Sequence, residues 1–165
     1  MEPAAPATPM TVFVPALLAL GAGLVAGVFF AFSNFVMKAL GQLPAEQGVA
    51  AMQRINAVVL NPAFLAVFVG TAAVAGLCGA GAVLAWGSVR SVLLLSAAVL
   101  YGVGCFGVTA AFNVPRNERL SRLDPDSAEA AAYWPAYQRE WLLWNHVRTL
   151  AAAAASAAAT FSLAS

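Results

Sequence analysis

Three stretches of this chain, residues 11–37, 61–86 and 91–112, contain no Asp, Glu, Lys or Arg. About 20 apolar residues suffice to cross the ~30 Å hydrocarbon core of a bilayer as a helix. The first stretch is long enough to cross with some tilt. No basic segment precedes it and no short apolar core leads to a clear cleavage site, so it is expected to be a retained span rather than a cleaved signal. A fourth, more alanine-rich stretch occupies 139–162. The chain is 62% hydrophobic and 9% charged, against about 25% charged in ordinary soluble domains. Such a chain belongs in a membrane.

Four spans joined by short connections predict an all-α, integral-membrane, four-helix antiparallel bundle. Residues 1–10, rich in Pro, Ala and Thr, are expected to be a disordered tail, and 11–165 a single membrane domain. Short surface helices are expected in the first and third loops. In the first, Pro44 and Glu46 suit a helix start, and Met52, Ile55, Val58 and Val59 form an apolar stripe opposite Gln53, Arg54 and Asn56. In the third, Asn113-Val114-Pro115 is expected to end the third span, because proline cannot continue a helix. A further helix should start at Asp126/Ser127 and be interrupted near Pro135. Asn61-Pro62 reads as an N-cap followed by proline at the first helical position.

Lys38, Arg54, Arg116, Arg119 and Arg122 fall in the first and third connections, and only Arg90 in the second. Basic loops stay in the cytoplasm, so those two connections are expected there, with both termini outside. The expected location is a bacterial-type cytoplasmic membrane. A net charge of +1 gives no reason to expect nucleic acid. Cys78 and Cys105 lie inside apolar stretches with no CxxC spacing and read as packing residues.

The segment Trp141-Leu142-Leu143-Trp144-Asn145-His146-Val147-Arg148-Thr149 carries the chain's single histidine. Ionisable groups in such a segment are costly and commonly mark a site. The competing account has Trp141 and Trp144 in the interfacial belt and Arg148 snorkelling to the surface. Trp141, Asn145 and Arg148 share one helix line, whereas His146 points about 160° from Arg148 at a ~100° step. Either the site spans a wide arc or only one of the two lines it. Asn34, Asn56, Asn61, Asn113 and Asn117 sit near span ends on the same side. A pocket is expected there, walled by Phe29, Phe30, Phe32, Phe64, Phe68, Tyr101 and Phe106. Capping would alternatively explain Asn61, and helix–helix hydrogen bonding Asn34.

No metal site is expected from one histidine without a carboxylate deep in a span, and no nucleotide-cofactor motif occurs. A near-neutral base, neutral hydrogen-bond donors and aromatic surface suit deprotonation of a flat carbon acid.

Asn56…Asn61-Pro62-x-Phe64, Asn113-Val-Pro-x-Asn117 and Trp141-x-x-Trp144-Asn145-His146-x-Arg148-Thr149 resemble the anthrone oxygenase family of small membrane proteins, over about residues 23–155. The resemblance implies oxidation of an anthrone to an anthraquinone by O2, without a cofactor, in aromatic polyketide pathways. His146 would take the methylene proton, Asn145 and Arg148 would hold the oxyanion, and Trp141 and Trp144 would stack on the polycycle. Asn34, Asn56, Asn61, Asn113, Asn117 and Thr149 complete the expected binding set. The partners would be a small hydrophobic aromatic substrate, O2 and the bilayer, and a homo-oligomer is left open. A metal-dependent oxygenase, a non-catalytic quinone or lipid binder, and a small exporter are the alternatives. An exporter is disfavoured because no carboxylate lies deep within a span.

Overall fold

A computed structural model describes residues 9–165, so the expectation for the N-terminal tail lies outside the described residues except at its end. Among the described residues all regular structure is helical: α1 (Pro9–Ala31), α2 (Met37–Leu40), α3 (Ala45–Val58), α4 (Pro62–Leu84), α5 (Val89–Val99), α6 (Val114–Ser121) and α7 (Ala128–Phe161). A π-helical turn, Phe32–Val36, joins α1 to α2, and two more, Leu100–Gly107 and Thr109–Asn113, join α5 to α6. Three helical runs are long and apolar enough to cross a membrane: Val12–Leu40, Pro62–Leu84 and Val89–Ser121. Their outward side chains include Leu20, Leu24, Phe30, Leu77, Leu84 and Val103, all more than half exposed. A large apolar exterior of this kind fits a membrane protein.

The fourth expected span is the C-terminal part of α7, whose 34 residues measure about 51 Å at ~1.5 Å rise per residue. It packs chiefly on α1 and on the Leu100–Gly107 turn, and α4 packs on α1 and α5. Small residues permit this closeness. A Cβ on Gly104 would lie 2.8 Å from Ala151 Cβ. The bundle is therefore built from four long helical runs, with α3 laid across one end.

Local signals explain several boundaries. Asn61 Oδ1 accepts from Phe64 N at 3.0 Å, and its Nδ2 donates to Val58 O at 3.0 Å, so one side chain closes α3 and opens α4. Ser88 Oγ accepts from Ser91 N, and Ser127 Oγ from Ala130 N, each at 3.1 Å. Two expected breaks do not occur. Pro115 lies where the Thr109–Asn113 π-helical turn passes into α6, inside one helical run. The chain stays helical to Ser121, with the Arg116 guanidinium bonded to Phe112 O at 2.8 Å. Pro135 likewise lies inside an unbroken α7. The separate short helix expected in the third loop is therefore α6 followed directly by the start of α7.

The core has two parts. Leu18, Val25, Phe29, Phe68, Tyr101, Cys105 and Ala152 fill the span region. Met37, Val49, Met52, Leu120, Trp134, Tyr137 and Trp141 fill the end covered by α3 and α6. Cys78 and Cys105 are both free and buried. Gln53 fastens α3 to this end by donating to Leu120 O and Leu123 O, 2.9 Å each. Leu120 O also accepts from Leu123 N at 3.2 Å, so the amide adds a bond to the turn that closes α6.

Candidate active site

A cavity of about 430 Å³ lies at the seam of the two core parts. Its walls are Phe29 and Phe32 from α1 and the turn that follows it, Met52 and Ile55 from α3, Phe64 and Phe68 from α4, and Trp141 from α7. Its size falls within the ~300–1,000 Å³ usual for small-molecule sites. Phe64 and Phe68 stack at 5.7 Å, and Phe32 lies 5.5 Å from Trp141. Phe106 stands behind Phe68 at 5.2 Å, Tyr101 supports the wall by donating to Phe68 O at 3.0 Å, and Phe30 points outward.

Polar groups enter this apolar space at few points. Arg148 lines the cavity although only 5% exposed. Its Nε and Nη2 donate to Asn145 Oδ1 at 3.0 and 2.8 Å, and Nη1 to Thr109 Oγ1 at 3.3 Å. These bonds use three of the five guanidinium N–H groups. The group lies 3.8 Å over the Phe29 ring and 4.9 Å from the Trp141 ring. Cation–π contact compensates part of its desolvation. Among the described residues it has no carboxylate partner. Burying a cation without one is costly, so a ligand oxygen with negative charge would be strongly favoured there.

Two amides add donors. Asn117 Oδ1 accepts from Trp141 Nε1 at 2.8 Å and from Tyr137 Oη at 2.9 Å. Because an indole N–H can only donate, the amide orientation is fixed, and its NH2 is turned away from those two rings. Asn117 lines the cavity. So does Asn56, whose buried Nδ2 has no hydrogen-bond partner. Gln53, Glu118 and Ser121 are the other polar side chains of α3 and α6 on the lining.

The sequence-derived site divides on this geometry. Asn56, Asn117, Trp141 and Arg148 line the cavity. Asn145, fully buried, stands behind Arg148; its Nδ2 donates to Phe29 O and Ser33 Oγ, 2.8 Å each. His146 does not line the cavity. It is exposed, with Nδ1 2.9 Å from Ser33 Oγ. Thr149 donates to Asn145 O at 2.6 Å and lies 3.4 Å from Ser33 Oγ. Trp144 stacks on Phe112 at 3.6 Å, away from the cavity. Asn113 donates to Trp141 O at 3.1 Å and ties the third run to α7. Asn61 is the cap described above, and Asn34 is exposed. Of the asparagines expected near one set of span ends, Asn56 and Asn117 line this cavity and Asn34, Asn61 and Asn113 do not.

Reasoning from sequence missed Ser33 and Glu118. The signal for Glu118 was available: Val114, Asn117, Glu118 and Ser121 have the i, i+3, i+4, i+7 spacing of one helix face. Ser33 carried none, because its contacts depend on the π-helical turn. No group of three or more His, Cys, Asp or Glu side chains able to hold a metal ion occurs among the described residues.

Residues 62–158, more than half of the chain, match the anthrone oxygenase family. The chain belongs to this family. No curated protein and no solved structure matches it. The range matched to the anthrone oxygenases includes Phe64, Phe68, Thr109, Asn117, Trp141 and Arg148, which is one side of the cavity. The α1 and α3 side, with Phe29, Met52 and Asn56, lies before it.

Proposed function

We propose that the protein is a membrane-bound oxygenase that converts the methylene of an anthrone-like polycycle to a ketone with O2. The observation that carries this reading is Arg148, a buried guanidinium with no carboxylate partner among the described residues, facing an aromatic cavity. A ketone flanked by aromatic rings has little charge to offer it. The enolate formed when the methylene loses a proton has a full one, so Arg148 favours the ionised substrate over the neutral one. Fixed donors in a water-poor site are most effective when aimed at charge that develops during reaction. The Asn56 and Asn117 amides supply further donors, and Phe64, Phe68 and Trp141 hold the flat rings.

The enolate carries high electron density at the former methylene carbon, which can pass electrons to O2 and then form a C–O bond. The hydroperoxide produced loses water across its C–H and O–O bonds. One oxygen atom becomes the ketone, and the other leaves as water with the two methylene hydrogens. No external reductant enters this balance. Apolar Val28, Leu60 and Leu65 also line the cavity, all of them exposed, which suits a substrate arriving from the bilayer.

The test is oxygen uptake by the purified full chain with anthrone, anthracen-9(10H)-one. Wild type should form anthraquinone in step with O2 consumed. Arg148→Ala should lose activity by about 10²-fold or more, as removal of an oxyanion donor does. Arg148→Lys, which keeps charge but loses the planar fork held by Asn145, should fall between them. A wild type that binds anthraquinone yet consumes no O2 would instead identify a quinone-binding protein. Stoichiometric iron or copper needed for turnover would identify a metal-dependent oxygenase.

A further inference from the structure

Enolate formation needs a base in contact with the substrate, and the cavity wall offers one. Among the described residues that line it, only Glu118 carries a carboxylate, and none carries an imidazole, a thiol or a phenol. Resting on the reading above, we propose that Glu118 is the base that removes the methylene proton.

The helix places it there. Val114, Asn117, Glu118 and Ser121 all line the cavity, so Glu118 stands on the inward stripe of α6 beside an amide already held in position. Two of its basic neighbours on α6 are engaged elsewhere. Arg116 pairs with Glu140 at 2.9 Å, and Arg119 lies 4.0 Å over the Tyr133 ring. Glu118 itself forms no ion pair within 4 Å among the described residues. The carboxylate is therefore neither neutralised nor diverted.

Glu118 and Arg148 line the same cavity and differ in exposure. In an anthrone the oxygen and the acidic methylene sit at opposite ends of the central ring. The group that holds the oxyanion and the group that takes the proton must then flank the ligand from opposite ends. Arg148 is buried, whereas Glu118 is exposed at the edge of the same space. When no O2 is present, an exposed carboxyl can exchange the proton it has taken with water without a path through the protein.

The step balances as follows in protons and electrons. A Glu118 carboxylate oxygen takes one methylene proton, and the C–H electron pair passes into the ring system and onto the oxygen beside Arg148. After O2 has bonded to that carbon, the Glu118 acid protonates the peroxide. The regenerated carboxylate removes the second C–H proton as the O–O bond breaks. The departing hydroxide takes that proton, leaving ketone, water and an ionised Glu118.

Proton removal can be measured without O2. Wild type in detergent, under argon in D2O with anthrone, should place deuterium on the methylene faster than buffer alone. Glu118→Gln should lower that exchange by about 10²–10⁴-fold, the usual contribution of a general base, and anthraquinone formation in air should fall with it. Glu118→Asp should retain part of both rates. Anthraquinone binding, followed by tryptophan fluorescence, should be unchanged in Glu118→Gln. Exchange at the wild-type rate in Glu118→Gln would overturn the assignment while leaving the oxygenase reading intact. Loss of anthraquinone binding in that variant would also overturn it, by showing a binding rather than a basic role. A wild type that neither exchanges nor oxidises anthrone would overturn both.

Discussion

Arg148 owes its position to a short line of polar groups that starts at the protein surface. Ser33 Oγ lies within 2.9 Å of His146 Nδ1 and accepts from Asn145 Nδ2, while Asn145 Oδ1 accepts two bonds from the guanidinium. A serine hydroxyl can join the two because it both donates and accepts. Asn145 is then held with its oxygen toward Arg148 and its NH2 toward α1. Removing a residue nearer Arg148 along this line should therefore matter more than removing one at its end. Ser33→Ala is expected to lower anthrone turnover several-fold, and His146→Gln by less, with neither approaching Arg148→Ala. Steady-state rates on the three proteins decide this. A His146→Gln loss as large as that of Arg148→Ala would restore the histidine to the centre of the chemistry. The sequence already placed Trp141, Asn145 and Arg148 on one helix line, because a regular helix fixes those angles. It could not say whether that line or the His146 face met the cavity, since this depends on where α1 and α3 lie.

The helices show why some signals were legible and others were not. Cap residues act within three or four positions, so Asn61-Pro62 and Asp126/Ser127 marked real helix starts. Pro115 and Pro135 were misleading for a related reason: a proline does not have to end a packed helix, and Pro115 follows a π-helical turn while α7 continues through its own proline. The π-helical turns at Phe32–Val36 and Thr109–Asn113 turn Ser33 and Asn113 toward α7, and no local pattern announced them. Asparagine was ambiguous throughout. The same amide caps a helix at Asn61, ties two helices at Asn113 and faces a cavity at Asn56. These roles separate by mutation. Asn61→Ala should cost about 1 kcal/mol of stability, whereas Asn61→Asp or Ser, which also cap, should recover most of it. Thermal denaturation in detergent reads this, and anthraquinone binding should not change. Weaker binding in Asn61→Ala would return Asn61 to the site. Close packing gives a second test. A Cβ on Gly48 would fall 2.9 Å from Trp134 Cζ2, so Gly48→Leu should push α3 off α7 at a cost of about 1–3 kcal/mol, seen as a lower melting temperature.

At the scale of the whole molecule, charge and cavity lie at the same end. Arg54 on α3, Arg116 and Arg119 on α6, Arg122 just beyond it and Lys38 on α2 surround the end where the cavity sits. At the other end the connection between α4 and α5 carries Arg90, bonded to Ser162 O at 3.1 Å. Basic residues close to span ends are retained on the cytoplasmic side, while nearby Asp124, Asp126 and Glu129 weigh little in that bias. The cavity end is therefore expected to face the cytoplasm. Substrate and O2 would reach Arg148 from the inner leaflet, and water formed in the reaction would leave past Glu118. The native cysteines, Cys78 and Cys105, are buried, so a single introduced cysteine reports its own side. Asp126→Cys, in the exposed turn before α7, should react with a membrane-impermeant maleimide only in inside-out vesicles. Trp86→Cys, exposed in the turn after α4, should react only in intact cells. The reverse pattern would invert the bundle and place the cavity at the outer face. Substrate would then have to arrive from the opposite leaflet, with the chemistry at Arg148 unchanged.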